Sequence, residues 1–174
     1  MSKPIPEPGR QEKSLHMTVL MSPDMVNFSG NVHGGSLLRL LDQVAFACAS
    51  RYSGCYVVTL SVDQVFFRQP IHLGELVTFL SHVNHTGKSS MEIGIKVIAE
   101  NPRTRVSRHV MSCFFTMIAV DDQGKPTAVT PLKLETEMEH ILFQNALKRK
   151  ALRTEYEKAQ TATMAERAAV LPTY

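Results

Sequence analysis

Ser36-Leu37-Leu38-Arg39-Leu40-Leu41-Asp42-Gln43-Val44-Ala45-Phe46-Ala47-Cys48-Ala49-Ser50 is the stretch from which the rest of the chain is read. A helix pattern begins near Gly34–Ser36 and runs to about Tyr52, where Ser53-Gly54 stops it. Its residues are apolar around most of the circumference, whereas a surface helix shows a polar half. The expectation is a helix buried against a sheet.

The flanking segments supply that sheet. Ser14–Met21 reads as a first strand, followed by the turn-rich Ser22–Val32. Beyond the helix, Tyr56–Phe67, Glu75–His85, Met91–Val97 and Val106–Val120 read as strands. Met91–Val97 alternates at period two, so one face is covered and one more exposed. The connections look short, which favours an antiparallel sheet because parallel neighbours need crossovers. One helix wrapped by one curved antiparallel sheet, an α+β architecture, is the simplest outcome.

Residues 1–13 contain Pro4, Pro6 and Pro8 and read as a flexible lead-in, residues 14–130 as the domain, and residues 131–174 as a helical extension. In that extension Leu134–Lys158 is helical and charged, and the Ala/Thr-rich part from about Gln160 reads as frayed. Nineteen basic against sixteen acidic residues leave a charge of +3, too small a bias to indicate a nucleic-acid partner. Cys48, Cys55 and Cys113 form no CxxC pair, which fits free thiols in a reducing compartment. No signal-like apolar region opens the chain, and the stretch around Leu37–Ala49 is too short and too charged to span a bilayer. A cytoplasmic protein is expected, with no membrane and no nucleic-acid partner.

Two features carry chemistry. Asp42 stands among Leu40, Leu41 and Val44, where an unpaired buried carboxylate is expensive; it is either a general base or nucleophile in a cleft, or part of a polar strip with Arg39 and Gln43. The helix start, Asn27-Phe28-Ser29-Gly30-Asn31-Val32-His33-Gly34-Gly35, offers glycines and amides without intrahelical acceptors, suited to an anion or an oxyanion. Asp42 is seventh after Gly35, on nearly the same helix face but about 10 Å further along the axis. One helix therefore cannot bring both groups to one reacting centre. If both act in one reaction, they come from two subunits.

Other chemistries fit less well. His72, His82 and His85 match no metal-site spacing, and odd spacing on a strand points His82 and His85 to opposite faces. Cys48 and Cys113 sit in apolar segments and read as core. No GxSxG elbow or phosphate-binding glycine loop is present.

Asn27, Gly30, Gly34, Gly35 and Asp42 together resemble the signature of hotdog-fold acyl-CoA thioesterases of the bacterial acyl-CoA hydrolase type. The resemblance continues through Val57–Asp63, Arg68-Gln69-Pro70-Ile71, Gly74-Glu75 and Gly87-Lys88-Ser89-Ser90, and covers residues 14–130. It implies hydrolysis of acyl-CoA to a carboxylic acid and coenzyme A, with no metal or redox cofactor. By the same resemblance, Asp42 activates water or attacks the thioester, and Asn27 of the opposite subunit places the water or carbonyl. The Gly35 amide stabilises the oxyanion, and Thr59 orients Asp42. It also implies a homodimer at least, assembled as a trimer of dimers, a homohexamer. The coenzyme A phosphates call for cations at the cleft mouth, and Lys88 with Ser89 and Ser90, together with Arg103, Arg105 and Arg108, are the candidates. The alternatives are a noncatalytic acyl-CoA-binding or sensing protein of the same fold, and a hydratase or dehydratase of related fold.

Overall fold

The computed structural model describes residues 12–170, with side chains to position 164. The expected flexibility of the lead-in falls on residues 1–11, outside that range. The described chain divides between Leu132 and Lys133 into two compact units.

In the first unit, β1 (Ser14–Leu20) leads through a single 3-10 turn (Pro23–Met25) to the helix α1 (Gly34–Ser53). Four strands follow: β2 (Tyr56–Val62), β3 (Leu76–Thr86), β4 (Ser90–Glu100) and β5 (Ser107–Val120). They form one antiparallel sheet in the order β1-β3-β4-β5-β2. The sheet curls around α1, which touches every strand, and the unit has the hotdog fold.

α1 buries Leu37, Leu40, Leu41, Val44, Ala45, Cys48, Ala49 and Tyr52, a stripe at helical spacing. The stripe packs on the inward residues of the strands, among them Val57, Phe79, Ile93, Ile95, Phe115 and Met117. The helix ends at Gly54, whose left-handed φ of 67° suits glycine and whose N–H donates to the Ser50 carbonyl at 2.9 Å. The opposite side of α1 is not covered. Leu38, Asp42 and Phe46, each four residues apart, are exposed in the chain, so the apolar circumference is only half buried.

Three β-bulges interrupt the ladders, at Thr59/Ser61 in β2, Val83/His85 in β3 and before Met111 in β5. Each extra residue bends its strand, and together they help curl the sheet. The β3 bulge corrects the expectation for the histidines. His82 pairs with Gly94 and His85 with Glu92, two apart on β4, so the extra residue Asn84 returns both to one face. Asn84 itself lies on that same face, donating to Glu92, and Gly94 leaves it room, since a Cβ there would collide with Asn84 Nδ2.

Connectivity also departs from the sequence reading. β2 stops at Val62 and Phe67 lies in a loop, because the chain must leave β5 and cross to the other side of the sheet before β3 begins. The edges are β1 and β2, while β5 is internal, with β4 and β2 on either side.

The loop reaching β3 is locked by an ion pair. Arg108 on β5 donates to both oxygens of Glu75 at 2.7 and 2.8 Å and to the Pro70 carbonyl at 2.7 Å, and the His72 N–H also donates to Glu75. Glu75 is only 5% exposed. The Arg108 hydrogen bonds hold its carboxyl below the ordinary glutamate value of 4.5, and the His72 amide adds to this. Arg108 is thus committed within the fold and is removed from the coenzyme A candidates.

The second unit is α2 (Glu137–Val170) with its lead-in. The helix starts later than Leu134 because Thr136 and Glu139 form a capping box: Thr136 Oγ1 accepts from the Glu139 N–H, and the Glu139 carboxylate accepts from the Thr136 N–H. It continues past Gln160, where its composition reads as frayed.

Replacing Arg108 with Ala leaves the Glu75 carboxylate buried without its cation and is expected to destabilise the fold by about 3 kcal/mol, measured by denaturant unfolding at neutral pH. Because the folded-state pKa of Glu75 is depressed, its contribution is fully present above the ordinary glutamate value and is lost as pH falls below that value and through the lower folded-state one. Glu75→Gln should therefore lower stability at neutral pH and flatten the acid limb of the stability profile. An unchanged acid limb would count against this account.

Candidate active site

The loop before α1 is a tight hairpin. Val26 bridges Val32, the Asn27 N–H donates to the Asn31 carbonyl at 2.8 Å, and Gly30 closes the turn at φ +77°, a region glycine adopts without strain. Asn27 Oδ1 accepts from Ser29 N, Ser29 Oγ and Asn31 N at 3.0, 2.9 and 3.2 Å. Three donors facing one atom identify it as the oxygen, so the exposed Nδ2 is what Asn27 offers to a ligand. Asn27 is a donor.

The hairpin delivers the chain into α1 through two further bonds, Val32 N–H to the Ile71 carbonyl and His33 N–H to the Met25 carbonyl. His33 occupies the N-cap position without bonding the helix through its side chain, and the first helical bond is Leu37 N–H to its carbonyl. The amides of Gly34, Gly35 and Ser36 precede that bond and lack intrahelical acceptors. A Cβ at Gly35 would touch only His33 Nδ1 at 3.8 Å, so nothing inside the chain demands glycine there.

Asp42 lies two turns further along α1. Val57 and Thr59 share the inward face of β2, and Thr59 Oγ1 donates to Asp42 Oδ1 at 2.6 Å. The alternative partner, Arg39, makes no ion pair with Asp42 and instead pulls on Asp24, whose carboxyl is held low mainly by the Ser22 hydroxyl at 2.5 Å. Asp42 is thus neither buried within the chain nor part of an Arg39 ion pair. It stands on α1 between the exposed Leu38 and Phe46, and Phe46 packs edge-on against Tyr56 of β2 at 5.7 Å.

The sheet register separates the candidates into two groups. Thr59 pairs with Met117 and Met117 with Met91, one step from Ser90, which places Asp42 and Thr59 toward the β3–β4 turn. That turn carries Lys88, Ser89 and Ser90. It is closed by the Gly87 N–H to the Ser90 carbonyl at 2.7 Å, and a Cβ on Gly87 would lie 2.6 Å from Ser90 Oγ. The α1 start, bridged through Asn31 to His72, lies toward the other end, where Leu76 pairs with Glu100 and Glu100 with Ser107. Arg103 and Arg105 are there, in a loop folded around Asn101, which accepts from the amides of Arg103, Thr104 and Arg105 and holds Arg105 at φ 59°. β4 has 11 residues, so Lys88 and the two arginines are roughly 30 Å apart in one chain.

The cysteines stay out of this chemistry. Burial pushes the Cys48 thiol up to about 11 and that of Cys113 to about 12, and all three are free. Among the described residues, no group of three or more His, Cys, Asp or Glu side chains is placed to hold a metal, and no helix is long and apolar enough to cross a membrane.

One further cavity, of about 290 Å³, lies between the β2–β3 loop and β5 and is lined by Phe66, Arg68, Gln69, His109, Met111 and Ser112 together with the bulge residue Val110. Sequence reasoning passed over it. Two signals were present: Arg68 beside the paired Phe66 and Phe67, and the apolar pair Val110-Met111 that breaks the alternation of β5.

Comparison with known proteins agrees with this architecture. Residues 29–106 match the model of the thioesterase superfamily. Over 140 residues the chain is 48% identical to Protein VdlD of Helicobacter pylori, spanning 80% of each protein. The acyl-CoA hydrolase of Staphylococcus aureus, solved in complex with butyryl coenzyme A, coenzyme A and coenzyme A disulfide, superposes with a TM-score of 0.82 at 26% identity, over 90% of this chain and 96% of that one. A hexameric acyl-CoA thioesterase solved in its apo form gives 0.81 at 32% identity, over 84% and 94%. With these identities and coverages added to the central helix and its curled sheet, the chain belongs to the hotdog-fold acyl-CoA thioesterase family.

Proposed function

We propose that this protein is a cytoplasmic enzyme that hydrolyses acyl-CoA thioesters to a carboxylate and coenzyme A, at sites built between two copies of the chain. The observation that carries the reading is the position of Asp42. It is a carboxylate steadied by Thr59 at 2.6 Å, in the middle of an apolar surface of α1 and β2 that the chain itself leaves open. A partner covering that surface puts Asp42 in a water-poor cleft where a base or nucleophile is effective.

A two-fold dimer also answers the separation of the candidate residues. An isologous interface sets one end of a chain against the other end of its partner. Asp42, Thr59 and the Lys88–Ser90 turn of one chain then face the partner's Asn27, Gly35, Arg103 and Arg105. Thioesterase chemistry needs each of these types. Asp42 takes a proton from water or attacks the carbonyl carbon itself, and the oxygen becomes an oxyanion. The Gly35 amide and Asn27 Nδ2 are donors suited to that charge. Collapse breaks the C–S bond, and the coenzyme A thiolate leaves and is protonated. If Asp42 is the nucleophile, water then cleaves the acyl anhydride. Cations of the two loops face the phosphates. Three such dimers would form a hexamer like that of the apo acyl-CoA thioesterase.

Asp42→Ala is expected to lower kcat by about 10² to 10⁴ in an assay of thiol release, with melting temperature and assembly unchanged; full turnover would defeat the assignment. Thr59→Val should reduce kcat by about tenfold, the worth of a charge-assisted hydrogen bond. Mixing Asp42→Ala with Asn27→Ala chains tests the shared site. Random reassortment restores one intact site per heterodimer, about a quarter of wild-type activity, whereas a mixture no more active than its parents would place both residues in one chain. Single-turnover hydrolysis in heavy-oxygen water separates the two roles of Asp42, since label in the protein carboxylate requires direct attack.

A further inference from the structure

The cavity between the β2–β3 loop and β5 has the chemistry of an anion site. Among the described residues lining it none is acidic, and Arg68 brings a permanent positive charge. The Arg68 guanidinium lies 5.6 Å from the centre of the Phe66 ring, a cation–π contact that holds it over the cavity wall. Gln69 and Ser112 add neutral hydrogen-bonding groups.

The opposite wall is shaped by the β5 bulge. Ile98 pairs with His109 and Val97 with Met111, so Val110 is the extra residue, and Val110 and Met111 are both buried in succession. The slip leaves His109 and Ser112 on the cavity side. His109 Nε2 lies 2.9 Å from the Met111 carbonyl and 3.0 Å from Ser112 Oγ. A carbonyl only accepts, so Nε2 carries the hydrogen and the ring is fixed. Bulges of this kind re-aim side chains beside functional sites.

The cavity adjoins the helix start. Phe67, next to the lining residue Phe66, packs its ring 3.5 Å from where a Cβ on Gly34 would sit. From this arrangement we infer that the cavity takes a phosphate group of the coenzyme A thioester, with Arg68 as its charged anchor and the fixed His109 and Ser112 as the opposing wall. The inference rests on the acyl-CoA reading and adds a phosphate anchor beyond Lys88, Arg103 and Arg105.

The test compares Arg68→Gln and Arg68→Lys with the full-length wild type, using butyryl-CoA, the phosphate-free butyryl-pantetheine, and calorimetric titration with coenzyme A, which needs no hydrolysis. Arg68→Gln should raise the KM for butyryl-CoA, and the coenzyme A dissociation constant, by about tenfold, with kcat within about twofold. Arg68→Lys, which keeps the charge, should recover part of the loss, and butyryl-pantetheine should be hydrolysed equally by all three proteins. If Arg68→Gln binds coenzyme A as the wild type does, or loses both substrates alike, the phosphate site is overturned. If the wild type binds coenzyme A with this Arg68 dependence but cleaves no acyl-CoA, the enzymatic reading fails while the phosphate site stands.

Discussion

A helix that is apolar on two sides can satisfy only one of them within its own chain. In α1 the side carrying Leu37, Leu41, Val44 and Cys48 closes the core against all five strands. Leu38 and Phe46 cannot reach that core, and each, left partly in water, forgoes a part of the roughly 1.5–3 kcal/mol that full burial of such a side chain supplies. The neighbouring strand β2 has the same condition, with an open edge and outward Tyr56, Val58 and Leu60. The contact of Phe46 with Tyr56 joins the uncovered side of α1 to the edge strand β2, and Asp42 lies on that side of the helix.

The helix bounds were legible because local chemistry decides them. Gly54 terminates α1 through its own left-handed conformation, and the spacing of Leu37, Leu40, Leu41 and Val44 is visible without any tertiary information. The strands β4 and β5 were legible for the same reason, as was the distance along the helix between Gly35 and Asp42. What escaped was set by pairing between distant segments. Nothing near Phe67 marks the end of β2, since its hydropathy suits a strand; the crossover forced by the sheet order ends it. The faces of His82 and His85 turned on one bulge residue, Asn84, whose side chain fits only because Gly94, ten residues later, has no Cβ. Arg108 read as a free basic residue because its partner, Glu75, is thirty-three positions away.

The irregular positions are also where the candidate site gathers. Regular strands point side chains alternately to core and solvent, which leaves few ways to aim three groups at one volume. The β2 bulge follows Thr59 directly, and the β5 bulge lies between His109 and Ser112. Gly30 and Gly87 close the hairpins that carry Asn27 and Lys88. Each departure costs some ladder bonding. The Arg108–Glu75 pair and the buried stripe of α1 hold the surrounding frame rigid enough to sustain these departures.

The Thr59 hydrogen bond fixes how Asp42 is presented. A hydroxyl donating to Oδ1 at 2.6 Å holds the carboxylate in one orientation and leaves Oδ2 to face outward. Thr59 itself is fixed, because β2 is held to β5 on one side and Oγ1 also lies 3.6 Å from the buried Met117 Sδ. The donor is thus set by the sheet of the single chain, and the direction in which Asp42 points is decided within that chain. That ordering, with orientation built into the fold, needs no rearrangement of the carboxylate to make it available.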